Sequence, residues 1–247
     1  MDQGLLIAAA GMKAQIETLD LLGNNLANSG TVGFKGDREF FRLFRTALIQ
    51  PDPNTAEARW MPVVQGSVID FGQGPLTRTE GALDVALSGP GFFATETSDG
   101  ERLYTRNGAF RLSPQGLLET AEGHRVLDTV GSNITIPAGS EIRVGDRGMI
   151  RVNGLNIAQL AVVTFEGQPP VTKAGLSYFQ APEGAAAVPA AEPLVKQGYL
   201  ESSNVNVPLA AVQLIQTSRN FQMLSRIASL VADEMNGRAV EQLGSLR

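Results

Sequence analysis

Cysteine is absent from the 247-residue chain, which removes disulfides, thiolate metal sites and cysteine nucleophiles together. Histidine occurs once, at position 124, so a Ser-His-Asp relay has one place to form, and no nucleophile-elbow motif accompanies it. Glu122, Arg125 and Asp128 lie close to it in sequence, the setting of a solvated turn residue. Carboxylate pairs such as Glu119 and Glu122 are of the type a glycosidase uses, but nothing in the sequence makes them converge in a cleft. No catalytic, cofactor-binding or metal-binding residue is expected, and the chain reads as a non-enzyme. With a net charge of −5 there is no chain-wide basic field for nucleic acid or anionic lipid. No apolar run approaches the ~20 residues that span a bilayer, so membrane insertion is not expected. The short run Leu5–Ala10 follows Asp2 rather than a lysine or arginine, and it reads as helix in place of a signal peptide.

What is present has a clear arrangement. Hydrophobic residues make up 43% and charged residues 18%, a globular composition, and 27 glycines against 6% aromatics suggest many tight turns. At the N-terminus Leu5, Met12, Leu19 and Leu26 fall seven apart, with Ala9, Ile16 and Gly23 between them. At the C-terminus Val207, Leu214, Phe221, Ala228 and Met235 repeat the interval, interleaved with Ala210, Thr217, Leu224 and Val231. A seven-residue repeat marks helices that bury a seam against other helices. Leu5, Met12, Ile16, Leu19, Leu26, Val207, Leu214, Phe221, Leu224, Ala228, Val231 and Met235 are therefore the expected assembly seam.

The first helix is expected over about Gln3 to Ala27, with Asn28-Ser29-Gly30 as its stop. Residues 36–70 form a connecting arm in which Phe40, Phe41, Leu43, Phe44 and Leu48 make either a short helix or an extended segment. Pro51, Pro53 and Pro62 forbid a continuous helix there. From 71 to 200 the punctuation is that of short antiparallel strands, with turn signals at Asn107-Gly108, Pro114-Gln115-Gly116 and Asn153-Gly154. Pro182–Pro193 reads as a loop without a packing signal. The last helix is capped by Asn206, carries Pro208 in its first turn and is expected to end near Gly237. The fold class is thus mixed α and β: terminal heptad helices forming one helical domain from residues 1–35 and 201–247, around a β-rich middle. A rival reading is a secreted β-rich binding module whose helices merely dimerise.

Four segments give the chain a family resemblance. Asn24-Asn25-Leu26-Ala27-Asn28 with Thr31, Gly33, Phe34 and Lys35 is similar to the N-terminal signature of the flagellar axial proteins of rod and hook. Asp84–Phe93 and Tyr104–Phe110 resemble the middle domain of that family, and Gly198–Val207, with Ser203, Asn204 and Val205, its C-terminal segment. The order of the four is that of the family. The short length and the ending Met235–Ala239 resemble members of the proximal rod; the run Ser203–Val207 is shared with those of the distal rod. The resemblance implies an inner helical tube made by both termini, an outer β-domain, and a periplasm-spanning rod that transmits torque. It also implies self and other rod subunits as partners, and passage through the flagellar type III export apparatus. Read from their residues alone, the asparagines at 24, 25 and 28 suit either local capping or a joint between subunits. Asp84–Phe93 lacks the Lys-Ser/Thr of a phosphate loop and reads as a bulged strand and turn. Tyr104–Gly108 reads as a hairpin tied down by Arg106.

Overall fold

The computed structural model describes residues 3–45, 60–165, 171–182, 184–185 and 187–244. Two compact units emerge, one built from residues 1–27, 37–70 and 206–247, the other from 28–36 and 71–205.

The first unit contains both helices. Helix α1 spans Gln3–Ala27, as the heptad and its Asn-Ser-Gly stop predict, and helix α2 spans Val207–Gly244. The Asn206 side chain accepts the Leu209 amide at 3.1 Å, the capping bond expected there. The two helices pair within the chain. Among the buried or half-buried positions of α2, 210, 214, 217, 221, 224, 228 and 231 recur at alternating steps of four and three, the spacing of a coiled-coil seam, with 211 and 218 half-buried beside them. Ala210 and Thr217 are the most enclosed of them. Small residues set the approach: a Cβ placed on Gly11 would meet the Leu224 Cδ1 at 3.3 Å. On α1 the exposed positions 9, 13, 16, 17, 20, 24 and 27 form the opposite, mostly polar stripe.

The helix does not end at Gly237. A mid-helix glycine costs about 1 kcal/mol against alanine, which is too little to stop a helix of 38 residues without a left-handed cap. The described parts of the connecting arm, 37–45 and 60–69, are strand and not helix. Asp37–Arg45 and Trp60–Ile69 pair antiparallel, Asp37 opposite Ile69 and Arg45 opposite Trp60, with a bulge between Phe40 and Phe41. Leu48, Pro51 and Pro53 lie outside the described residues, while Pro62 sits within the second strand opposite Leu43.

The second unit is all antiparallel. Its largest sheet orders Thr172–Lys173, Tyr178–Gln180, Arg102–Thr105, Phe92–Glu96, Arg125–Val126, Leu118–Thr120 and Phe110–Leu112. Val162–Thr164 joins it on Phe92–Glu96 and carries Val188–Pro189 on its other side. That last pairing corrects the loop expectation for 182–193: Ala190 donates to the Val162 carbonyl at 2.9 Å and packs on the core. Residues 104–108 are no hairpin either, because Arg102–Thr105 and Phe110–Leu112 pair with other strands. The core gathers Val85, Leu87, Phe93, Phe110, Ile134, Ile136, Ile150 and Leu160, among others. Beside it Phe71, Phe92 and Phe179 meet edge to face at 5.4–5.5 Å. The paired phenylalanines of the Gly-Phe-Phe segment thus divide: Phe93 enters the aliphatic core and Phe92 the aromatic cluster, as alternation along a strand requires.

Candidate functional site: a buried ionic joint

Three of the four sequence motifs converge inside the β unit on one carboxylate. Glu201, fully buried, ends the strand Tyr199–Glu201, which pairs with Leu76–Arg78. Lys35, also fully buried, donates from Nζ to Glu201 Oε1 at 2.6 Å. Arg106, 4% exposed, donates from a terminal nitrogen to Glu201 Oε2 at 3.1 Å. The Gly74 amide adds a bond to Oε1 at 2.9 Å. Both carboxylate oxygens are therefore engaged by charged donors, the strongest class of protein hydrogen bond.

Asn204 works one turn of chain further on. Its side-chain oxygen accepts the Gly36 amide at 2.8 Å, and its amino group donates to the Gly72 carbonyl at 3.1 Å. Lys35 Nζ donates to the same Gly72 carbonyl at 2.8 Å, and the Gly33 amide donates to the Glu201 carbonyl at 2.7 Å. Segments 33–36, 72–74 and 201–204 are in this way stitched together at the ends where the chain leaves the unit. Residues 28–36 belong to this unit by their contacts, although they continue directly from α1.

Lys35 and Arg106 share the Glu201 carboxylate, and the Arg106 guanidinium carbon lies 5.3 Å from the Phe92 ring centroid. Burial pushes the Arg106 guanidinium below its ordinary value, and the charge of Glu201 and its hydrogen bond pull it back up. The Arg106 Nε is buried without a hydrogen-bond partner. Such a cluster is a poor source of net stability, because desolvation offsets its attraction, but losing the carboxylate takes from both cations the acceptor they share.

Two glycines are required by geometry here. Gly33 has φ +69°, and a Cβ there would stand 2.4 Å from the Asn107 amide nitrogen. At Gly74 a Cβ would stand 2.0 Å from the Ser202 carbonyl oxygen. Gly33→Ala combines a left-handed backbone penalty of ~1–2 kcal/mol with that overlap. We expect it to lower the urea midpoint of the β unit by an amount equivalent to at least ~2 kcal/mol.

The asparagines of the N-terminal signature are largely occupied within the chain. Asn25 donates to the Asp37 carbonyl at 2.8 Å and accepts the Asp37 amide at 2.9 Å, a strand-like pairing that begins the Asp37–Arg45 strand. Asn28 is buried and accepts the Thr31 hydroxyl at 3.4 Å, whereas Asn24 is exposed. Phe34 is buried with the Lys173 ammonium 4.4 Å from its ring centroid. Ser203 is buried and accepts the Val205 amide at 3.2 Å. Leu26 is half-buried and Ala27 exposed. His124 lies edge-on to Tyr178, centroids 4.9 Å apart, and the Tyr178 hydroxyl donates to Glu122. Burial, aided by Glu122, pushes that phenol well above its usual range.

Of the expected seam, Met12, Leu19, Leu214, Phe221, Leu224, Ala228 and Val231 are half-buried, whereas Ile16 and Val207 are exposed. The side chains of Leu5 and Met235 lie outside the described residues. A second apolar stripe escaped the heptad reading. Leu209, Val212, Ile215, Met223, Ile227 and Leu230 are each at least half exposed, on a face of α2 turned away from the 210–231 seam. Their spacing drifts between three, four and eight residues, so no strict repeat announces them. Glu201 and Arg106 were also missed as partners, because a bridge between positions 166 and 95 residues apart has no local signature.

Comparison with known proteins follows the same segments. Residues 5–35 match the family model "Flagella basal body rod protein", 86–152 "Flagellar hook protein FlgE/F/G D1 domain", and 196–242 "Flagellar basal body rod FlgEFG protein C-terminal". The flagellar basal-body rod protein FlgF of Caulobacter vibrioides is 30% identical over 247 residues, covering 100% of both chains. FlgG of Agrobacterium fabrum is 34% identical over 259 residues, covering 94% of this chain and 96% of the relative. FlgF of Rhizobium meliloti is 33% identical over 260 residues, with 100% of both covered.

Proposed function

Since the chain belongs to the family of flagellar basal-body rod proteins, structural subunits of the rod, we propose that it polymerises through the outward apolar stripe of α2. One observation carries this reading. Helix α2 has two apolar faces, and α1 covers only one. An exposed row of six large hydrophobic side chains along one helix is costly in a free monomer and is the surface a neighbouring subunit would cover. In this reading the seam at 210–231 holds the helical unit together within a subunit, and the row at 209–230 joins subunits. The helical unit then lies inside the rod and the β unit outside, torque passes along the stack, and the partners are self and other rod subunits. The role is structural and not enzymatic, and the chain reaches the rod through the type III export apparatus.

Within the family we favour the proximal member FlgF over the distal FlgG. The full-length match to FlgF relatives and the ending Met235–Ala239 support this, and the distal reading is the alternative because FlgG relatives are equally similar. A deletion strain examined for where basal-body growth halts tests it: arrest at the proximal segment supports FlgF, and arrest after a complete proximal rod contradicts it.

The stripe itself is tested by Met223→Glu combined with Leu230→Glu in the full chain. Both sites are about 60% exposed, 61% each, so monomer stability should stay within ~0.5 kcal/mol while rod assembly and motility are lost. Normal rods built from that variant would refute the stripe as the joining surface.

A further inference from the structure

We propose that the outward face of α2 in one subunit is covered by the outward face of α1 in a second copy of the chain, in one antiparallel register set by two ion pairs. This rests on the reading of α2 as the joining surface and names what covers it. Within the chain α1 leads into segment 33–36 and α2 follows Asn204. Gly36 and Asn204 are bonded at 2.8 Å, and Gly11 of α1 lies against Leu224 of α2. The two helices therefore run antiparallel. Copies that stack head to tail all point the same way, so the α1 of a neighbour also runs antiparallel to α2.

Each outward face carries a row at alternating steps of three and four, the spacing of a coiled-coil seam. On α2 the row is 219, 223, 226, 230 and 233, all exposed; on α1 it is 13, 16, 20, 23 and 27, exposed except for the half-buried Gly23. Laid antiparallel with Leu230 on Ile16, the rows place Met223 on Gly23, Arg226 on Asp20 and Asp233 on Lys13. Apolar meets apolar or small, and both charge pairs are opposite in sign. A slip of one heptad in one direction sets Arg226 on Lys13, and in the other Asp233 on Asp20. Like charges thus reject both neighbouring registers. A second α2 is the poorer occupant, because a parallel copy in register lays Arg219 and Arg226 on themselves. Among the described residues no ion pair within the chain engages Asp20, Arg226 or Asp233, and Lys13 has a surface pair with Glu17 at 3.7 Å. Gly23 is a second, independent mark. A glycine inside a helix is destabilising against alanine. Gly11 has a reason within the subunit, since a Cβ there would meet Leu224 at 3.3 Å, but at Gly23 a Cβ would meet nothing within 4 Å. That notch is open in the monomer, and in this register it takes Met223, whose unbranched side chain suits such a gap. Ile16, 46% exposed, gains its cover from Leu230 in the same way.

Full-length Ile16→Cys and Leu230→Cys subunits, co-assembled into rods and oxidised, test the pairing in a chain that has no other cysteine. The expected product is a disulfide-linked dimer with one subunit of each kind, in about tenfold excess over the Leu230→Cys homodimer, because the bond forms only between neighbouring Cβ atoms. A homodimer as abundant as the mixed dimer would overturn the proposal, and so would rods that yield no link. Charge exchange reads the register. Asp20→Arg and Arg226→Asp should each reduce the number of rods per cell about tenfold, and the two together in one chain should restore most of them. Single variants that build normal rods, or a double variant no better than the weaker single one, would overturn it. If these tests fail while Met223→Glu with Leu230→Glu still blocks assembly, the register falls and the joining surface stands. Normal rods from that last variant would remove both.

Discussion

Glu201→Gln is expected to lower the stability of the β unit by roughly 3–5 kcal/mol, about 10 °C in melting temperature. Glutamine keeps the shape of the side chain and one acceptor oxygen, so packing against Gly74 is preserved. What is lost is the negative charge, and Lys35 and Arg106 then remain as two buried cations. Lys35→Met should cost less, because Arg106 still neutralises Glu201 and methionine is a flexible apolar side chain of similar length. The ranking tests the joint more sharply than either value: a Lys35→Met variant less stable than Glu201→Gln would mean that the carboxylate is not its centre. Thermal unfolding followed by near-ultraviolet circular dichroism reads both.

Leu224→Asp should separate the two helices of the first unit and leave the β unit folded. Leu224 lies half-buried in the inner seam, its methyl 3.3 Å from where a Cβ on Gly11 would stand. A carboxylate there is desolvated with no described cation opposite, at a cost of several kcal/mol, whereas an isolated helix in water has little to hold it. Far-ultraviolet ellipticity should fall toward that of the β unit alone, and rods should not form. Unchanged helicity would mean that the seam does not carry the pairing. This outcome differs from that of Met223→Glu with Leu230→Glu, which should spare helicity and abolish only assembly.

How far the sequence foretold this architecture depends on whether the deciding interaction is local. The bounds of α1 were legible because a heptad, a run of good helix formers and an Asn-Ser-Gly stop coincide within 30 residues. The start of α2 was legible from Asn206 and Pro208, both read from local capping chemistry. Its end was not, since Gly237 weakens a helix without ending it. Strand at 37–45 and 60–69 was obscured by phenylalanines that suit a helix as well, and cross-strand pairing made the choice. At the ionic joint each motif supplied one ionisable residue, Lys35, Arg106 and Glu201. Only the tertiary fold brings positions so distant in sequence within 3.1 Å. The outward row of α2 was hidden for a different reason: a strict seven-residue search finds the inner seam and passes over a stripe whose spacing drifts.

The absence of cysteine allows a direct measurement on the outward row. A single cysteine at Met223 or Leu230, both 61% exposed, should react readily with a maleimide in the monomer. In assembled rods the same thiol should be protected, while a cysteine at the exposed Asp99 of the β unit reacts equally in both states. Thiols at 223 and 230 that label as fast in rods as in monomers would contradict polymerisation through this face of α2.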